Sequence, residues 1–371
     1  MTTDPLTETS AVAGASATPA SAASKRAQRE SGLMNLVRTG HLPLLILVFV
    51  AGIVSLGIEV SGGRLMAPYF GTTDLIWAMQ IGSTLIYLSI GYWFGGRLAD
   101  RYPSERVLCA ITAVAGVATG LLAFVSGPVL RLALPLLDGL NLGSSLDNGS
   151  SGVVLFGVSL LMAVLLFSIP VTLLGMVSPF AIRITVASVG SAGTRAGSLY
   201  ALSTVGSILG AFLPVLWLIP WIGVRRTLLA LAVALILASL WGLVSHWRWL
   251  NAASVALMLV FLLLPSVASL GPLKPTPPNL HYLYDEETPY NYIQVVKDAN
   301  GTNFLLMNEG AGAEHSWYNP NYILSPGHYW YSDYMLTAPY FNASPDAWKV
   351  RKVAIVGLAG GTMARQFDAV F

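Results

Sequence analysis

The strongest constraint on this chain is a series of apolar runs, each close to the roughly twenty residues a helix needs to cross the hydrocarbon layer of a bilayer. They fall near 42–60, 75–95, 107–126, 152–176, 199–219, 227–245 and 251–270. Seven candidate spans predict a multi-pass helical bundle in the cell membrane, with the lipid bilayer as its first partner. Composition agrees: 54% of residues are hydrophobic and 10% charged, and the mean hydropathy is +0.65, far from the average of soluble domains. Pro170, Pro179 and Pro214 fall in or beside the fourth and fifth spans, where a bundle tolerates them if neighbouring groups satisfy the freed carbonyls.

Residues 1–40 precede the bundle as an Ala/Ser/Thr-rich tail with no hydrophobic period, carrying Lys25, Arg26 and Arg29. This composition predicts disorder, and the first apolar run then reads as an uncleaved signal-anchor. Residues 127–150, with Pro128, Pro135, Asp138 and Asp147, predict a long extramembrane loop containing a short interfacial helix. With the N-terminus inside, the inner side collects Lys25, Arg26, Arg29, Arg38, Arg97, Arg101, Arg106, Arg183, Arg195 and Arg248. The outer side holds Arg64, Arg131, Arg225 and Arg226. The positive-inside rule favours that orientation. An odd number of spans then places residues 271–371 outside, away from cytosolic nucleotide-like molecules. A net charge of +2 with scattered basic residues argues against nucleic acid as a partner. Cys109 is the single cysteine, so neither a disulfide framework nor a Cys-based metal site is expected. His281, His315 and His328 lack metal-ligand spacing, and Glu309 and Glu314 near His315 read first as solvated loop residues.

Two stretches inside the membrane region carry polar signals. Glu59 and Arg64 are a candidate ion pair at a membrane boundary, either structural or in contact with a substrate, because acidic groups in spans are costly and usually paired. Gly91-Tyr-Trp-Phe-Gly-Gly-Arg-Leu-Ala-Asp-Arg101 resembles the G-x-x-x-D-R loop between helices two and three of major-facilitator transporters. Its plainer reading is a helix-packing turn anchored by charge. Gly206 and Gly210, four apart, form a small-xxx-small face for tight helix packing.

The span pattern stops at Leu270, and residues 271–282 open with four prolines in Gly271–Pro278, a stiff extended linker. Beyond it, 283–350 reads as a small β-rich domain. Tyr290–Lys297 alternates as a strand, Asn300-Gly301 marks a hairpin turn, and Asn303–Met307 returns. Residues 311–328 are expected as loop, Tyr329–Ala338 as a helix, and Lys352–Val356 as a strand. Residues 351–371 then hold that strand, a turn through Gly357, Gly360 and Gly361, and a helix start. Such a turn lets backbone approach a ligand at a helix N-terminus.

Taken in order, Glu287-Thr-Pro-Tyr-Asn-Tyr-Ile-Gln-Val295, Phe304-Leu-Leu-Met-Asn-Glu-Gly310, Tyr331-Ser-Asp-Tyr-Met335 and the glycine turn resemble the spermidine synthase (polyamine aminopropyltransferase) family, in particular its membrane-attached members. The resemblance covers about residues 283–371. It implies an N-terminal β-domain followed by the first strand-turn-helix of a methyltransferase-like Rossmann α/β domain. It also implies decarboxylated S-adenosylmethionine as co-substrate and a polyamine as acceptor. By resemblance, Tyr290 and Asn291 help hold the donor, Asp333 takes the acidic position, and Gly357, Gly360 and Gly361 form the donor turn. Three positions depart from the family: Asn291 replaces Gln, Ser332 replaces His, and Gly360 stands where the motif carries Asp. The family's later acidic residues would follow the next strand, and Phe371 comes ten residues after Gly361. The expectation is therefore a truncated domain without complete aminopropyl transfer. The alternative is a transporter-like bundle with the soluble part as lid or regulator, for which Gln80 and Arg183 are the few polar candidates beside Glu59.

Overall fold

The computed structural model describes residues 41–138, 149–186, 189–243, 255–261, 271–307, 314–325, 330–344, 346 and 349–371. The expected N-terminal tail, the tip of the 127–150 loop, Arg248, Glu309 and His328 lie outside these residues.

Five segments are long and apolar enough to cross a membrane: Leu42–Phe70, Asp74–Arg101, Glu105–Leu137, Gly152–Thr185 and Ala192–Leu240. The first three contain helices α1 (Leu42–Phe70), α2 (Asp74–Arg101), and α3 (Glu105–Arg131) with the short α4 (Ala133–Asp138). α5 (Gly149–Gly175) and α6 (Val177–Thr185) form the fourth. The fifth spans 49 residues, about 73 Å if straight at 1.5 Å per residue, more than twice the hydrocarbon thickness. It contains α7 (Val189–Leu213), a π-helical turn at Pro214–Leu218 and α8 (Ile219–Leu243), broken at Gly223, whose φ of 81° and ψ of 163° are non-helical. The sixth expected span is thus the second arm of this segment. Of the seventh, only 255–261 is described, as helix. The remainder of 251–270 lies outside the described residues.

Helix ends follow local chemistry. Pro43 occupies the first turn of α1, where its missing N–H costs nothing. Ser104 caps α3, its Oγ accepting from Arg106 N at 3.3 Å. The interhelical seams are built on glycine. A Cβ added at Gly206 would lie 2.2 Å from Phe49 O, at Gly210 2.1 Å from Ile53 O, and at Gly52 2.3 Å from Ser203 O. Phe49–Gly206 and Ile53–Gly210 rise together in number, so α1 and α7 run parallel, and the Gly206/Gly210 face packs as its spacing predicted. A Cβ at Gly91 would lie 2.3 Å from Thr172 O, and one at Gly95 2.6 Å from Met176 Cα. The transporter-like stretch is therefore the helical end of α2, packed on α5 and anchored where Arg183 Nε donates to Asp100 Oδ1 at 2.9 Å. After Gly223 the chain reverses: Leu231 lies against Gly57, Arg225 near Gly127, and Ile236 near Gly116, so α8 runs antiparallel to α1 and α3. Away from these seams, Leu85, Ile86, Trp93, Ile169, Val205 and Phe212 are exposed, the apolar exterior of a lipid-facing bundle.

β1 (His281–Glu287), β2 (Tyr292–Lys297), β3 (Asn303–Met307) and β4 (Glu314–Tyr318) make an antiparallel meander in sequence order. The β2–β3 turn has Gly301 at φ 85°, and Asp298 Oδ1 accepts from Thr302 N at 2.7 Å. Three sequence expectations are corrected. Part of the expected 311–328 loop is β4, because Ser316 and Trp317 are buried and pair with Leu305 and Phe304. The helix expected at 329–338 contracts to α9 (Tyr331–Met335). Residues 352–356 form no strand: no neighbour supplies a ladder among the described residues, Val356 is fully exposed, and a strand without a partner leaves its backbone groups to water. The chain then enters α10 (Thr362–Val370).

Candidate functional site

The two ends of the bundle differ. One carries the His41–Glu105 contact at 3.0 Å, the Asp100–Arg183 pair, and Arg195 donating to Thr185 O. The sheet sits on the opposite end. There Tyr69 Oη donates to Leu273 O at 3.0 Å, and the Arg225 guanidinium faces Gly271 O and Leu273 O, each at 3.4 Å.

Arg64 shows why the bundle end matters. α1 continues ten residues past the expected boundary at Val60, so Glu59 and Arg64 are five residues apart on one helix. That separates them by roughly 140° around its axis, and no bridge forms between them. Arg64 instead donates to Tyr290 O at 2.6 Å and to Pro289 O, clasping the β1–β2 turn. Thr288 and Asn291 build that turn: Asn291 N donates to Thr288 Oγ1 at 2.9 Å, and Thr288 N to Asn291 O at 2.9 Å. The Tyr290 side chain is 83% exposed.

A second clasp comes from β1. Glu287 Oε2 accepts from Val224 N at 2.8 Å, and a Cβ on Gly223 would lie 2.7 Å from Glu287 Oε1. A carboxylate from the sheet thus caps the helix that restarts after Gly223, where the first N–H groups are unpaired and the helix dipole favours negative charge. Burial is the largest influence on this carboxyl and pushes it up to about 6, although Val224 N and the nearby Arg225 and Arg64 pull the other way. Between sheet and bundle lies a cleft of about 520 Å³, whose lining includes Ile222, Arg225, Arg226, Tyr282, Asp285 and Glu287. Asp285 accepts from the phenols of Tyr282 and, at 3.0 Å, Tyr292. The Tyr282 phenol is pushed up to about 12, chiefly by that hydrogen bond. The Tyr292 phenol is pushed up chiefly by burial. Burial also lowers Lys274, in the linker, to about 8.

The glycine turn lies at the other side of the sheet. Gly361 has φ 86° and precedes α10, Gly357 also has φ 86°, and Gly360 N donates to Ser316 Oγ at 2.8 Å. Thr362 Oγ1 donates to Trp317 O at 2.6 Å and accepts from Trp317 N at 2.9 Å, fastening the start of α10 to β4. Asp333 is committed to structure. Its Oδ2 accepts from Trp330 N at 3.0 Å, closing α9, and its Oδ1 accepts from Gln366 Nε2 at 2.6 Å. Apart from Gly357, the residues predicted to hold the donor therefore fall into two groups. Gly360, Gly361 and Asp333 gather around α10 and β4, whereas Tyr290 and Asn291 sit at the β1–β2 turn on the bundle. β2 and β4 are two strand spacings apart, about 10 Å. Glu287 opens the Glu-Thr-Pro-Tyr strand motif, which carries no sign of a contact with the bundle, and Arg225 and Asp285 belong to no motif. The available signal was the Arg225-Arg226 pair, beginning two residues after Gly223 at the head of an apolar run.

This geometry defines a class: a helical bundle of membrane type with an antiparallel β domain docked on one end. No family model matches the chain, and no curated protein or solved structure matches it.

Proposed function

We propose that this chain is a multi-pass cell-membrane protein of aminopropyltransferase-like ancestry whose β domain covers the extracytoplasmic end of the bundle and acts by binding rather than by aminopropyl transfer. The observation that carries this reading is the docking of the sheet opposite the end that bears Arg97, Arg101, Arg106, Arg183 and Arg195, where the basic tail enters α1. The positive-inside rule makes that basic end cytoplasmic. The ancestry is supported by the order of meander, α9 and glycine turn into α10. Decarboxylated S-adenosylmethionine does not fit the described residues as a reacting donor. Asp333 is tied into the fold by Trp330 N and Gln366 Nε2, Gly360 brings no carboxylate beside Ser316, and Ser332 is buried, so these positions supply neither the acidic residue of the family's glycine turn nor its histidine.

A second reading, a transporter-like bundle regulated by the sheet, is favoured by the clasp of Glu287 on the Gly223 break, because sheet position and helix geometry are thereby coupled. The test has two arms on the full chain. Reporters active only inside or only outside, fused after Phe371, are expected to give the external signal, and a cytoplasmic signal overturns the assignment. Transfer of labelled aminopropyl groups to putrescine by the chain in nanodiscs is expected at background, and stoichiometric spermidine formation overturns the binding reading.

A further inference from the structure

The cleft between sheet and bundle has a mixed-charge lining and an apolar lip. Arg226 is exposed and makes no hydrogen bond or ion pair among the described residues, and Arg225 lies buried behind it. Across the cleft, Asp285 and Glu287 are two apart on β1 and so share one face of the strand. A pure anion would meet both carboxylates, and a polyamine both guanidinium groups. A ligand carrying one anionic oxygen cluster and one ammonium a few bonds away satisfies both walls. The apolar part of the lining includes Ile222, the residue after Trp221. Trp217 and Trp221, 48% and 79% exposed, stand on the same helical approach, as aromatic side chains do at a lipid–water interface. An acyl tail leaving the cleft past Ile222 would meet this surface, and about 520 Å³ is within the range of small-ligand pockets.

We infer that this cleft is a headgroup site for a zwitterionic, primary-amine phospholipid, with Arg226 taking the phosphate and Asp285 the ammonium, each Asp285 oxygen accepting one phenol, from Tyr282 or Tyr292, and keeping a second lone pair for it. Arg–phosphate recognition is strong and geometrically selective because the guanidinium donates two parallel bonds. The site is independent of any transferase ancestry and of which face of the membrane the sheet occupies.

The test uses the full chain, delipidated and reconstituted in nanodiscs of phosphatidylcholine doped with either phosphatidylethanolamine or phosphatidylglycerol, with bound lipid counted by native mass spectrometry. One retained phosphatidylethanolamine is expected in preference to phosphatidylglycerol, with apparent affinity about tenfold weaker in Arg226→Ala. Because Arg226 is exposed, this variant keeps its fold, and its unchanged thermal transition separates lost binding from unfolding. Equal retention of the two doped lipids, or an Arg226→Ala protein that retains lipid like the parent, overturns the site. Soluble phosphoethanolamine is the second probe. Failure to displace the lipid at millimolar concentration supports a membrane-borne ligand. Displacement as effective as that by the whole lipid overturns the lipid source and assigns the cleft to the free zwitterion.

Discussion

In the bundle, helices meet backbone against backbone at Gly52, Gly206 and Gly210, whereas the sheet and the linker before it are held to that bundle by single side chains: Arg64 and Glu287 for the sheet, Tyr69 and Arg225 for the linker. In a membrane, where the hydrophobic effect does not drive helix to helix, close van der Waals approach supplies the contact. At the aqueous junction, charge-assisted hydrogen bonds to carbonyls and helix N–H groups do the equivalent work. The first kind of contact is sensitive to volume and indifferent to pH. The second is sensitive to charge and tolerant of small changes in volume.

The contrast breaks most visibly at the α1–α7 seam. Gly210→Leu places a side chain where even a Cβ would be 2.1 Å from Ile53 O, and the expected cost is about 3 kcal/mol or more, read as a lower thermal transition in detergent. An unshifted transition would mean the seam is looser than its geometry.

Smaller in effect is the pH dependence of docking. Glu287 has its carboxyl raised from the ordinary 4.5 to about 6 by burial, so its contribution is fully present below pH 4.5 and is lost as pH rises through 6. The loss is roughly 2 kcal/mol at 1.36 kcal/mol per pH unit. Hydrogen exchange of the β1 amides across pH 4 to 8 should show this slope, and Glu287→Gln should flatten it while still accepting from Val224 N. A slope that survives the substitution would place the titration elsewhere.

Next comes Arg64→Ala, which leaves Pro289 O and Tyr290 O without their donor. About 1.5 kcal/mol of docking is expected to go, seen as faster proteolysis in 271–280 with no change in the bundle's thermal transition. If both change together, junction and bundle are one cooperative unit. The smallest effect is at the glycine turn: Gly361→Ala forces an L-residue to φ 86° at a cost of about 1 kcal/mol, detectable as faster exchange in α10 alone.

Much of the architecture was legible in apolar run lengths, since a bilayer imposes a minimum helix length that few other constraints mimic. The Gly206/Gly210 spacing predicted a packing face, and Asn300-Gly301 a hairpin, because both depend on near neighbours in sequence. β4 was missed because Glu314–Tyr318 has no alternating apolar pattern and is a strand only through pairing with β3. The Glu59–Arg64 pairing depends on a helix end near Val60, whereas a helix running on to Phe70 turns those two side chains apart. Asp333 was read by resemblance as an acidic site residue, but only the return of α10, bringing Gln366 to its carboxylate, assigns it a structural role.

By itself the sequence determined that this chain builds apolar helices of membrane length, a proline-rich boundary and a β-hairpin beyond it, because run length, composition and turn chemistry act over a few neighbouring residues. Only the tertiary structure decided that α7 and α8 join through a π-helical turn and a break at Gly223, that the sheet docks opposite the basic end, and that Glu287 and Arg225 share one cleft. These outcomes depend on residues more than sixty positions apart meeting across the junction, where burial and an unpaired helix N-terminus give a carboxylate a role that no local pattern encodes.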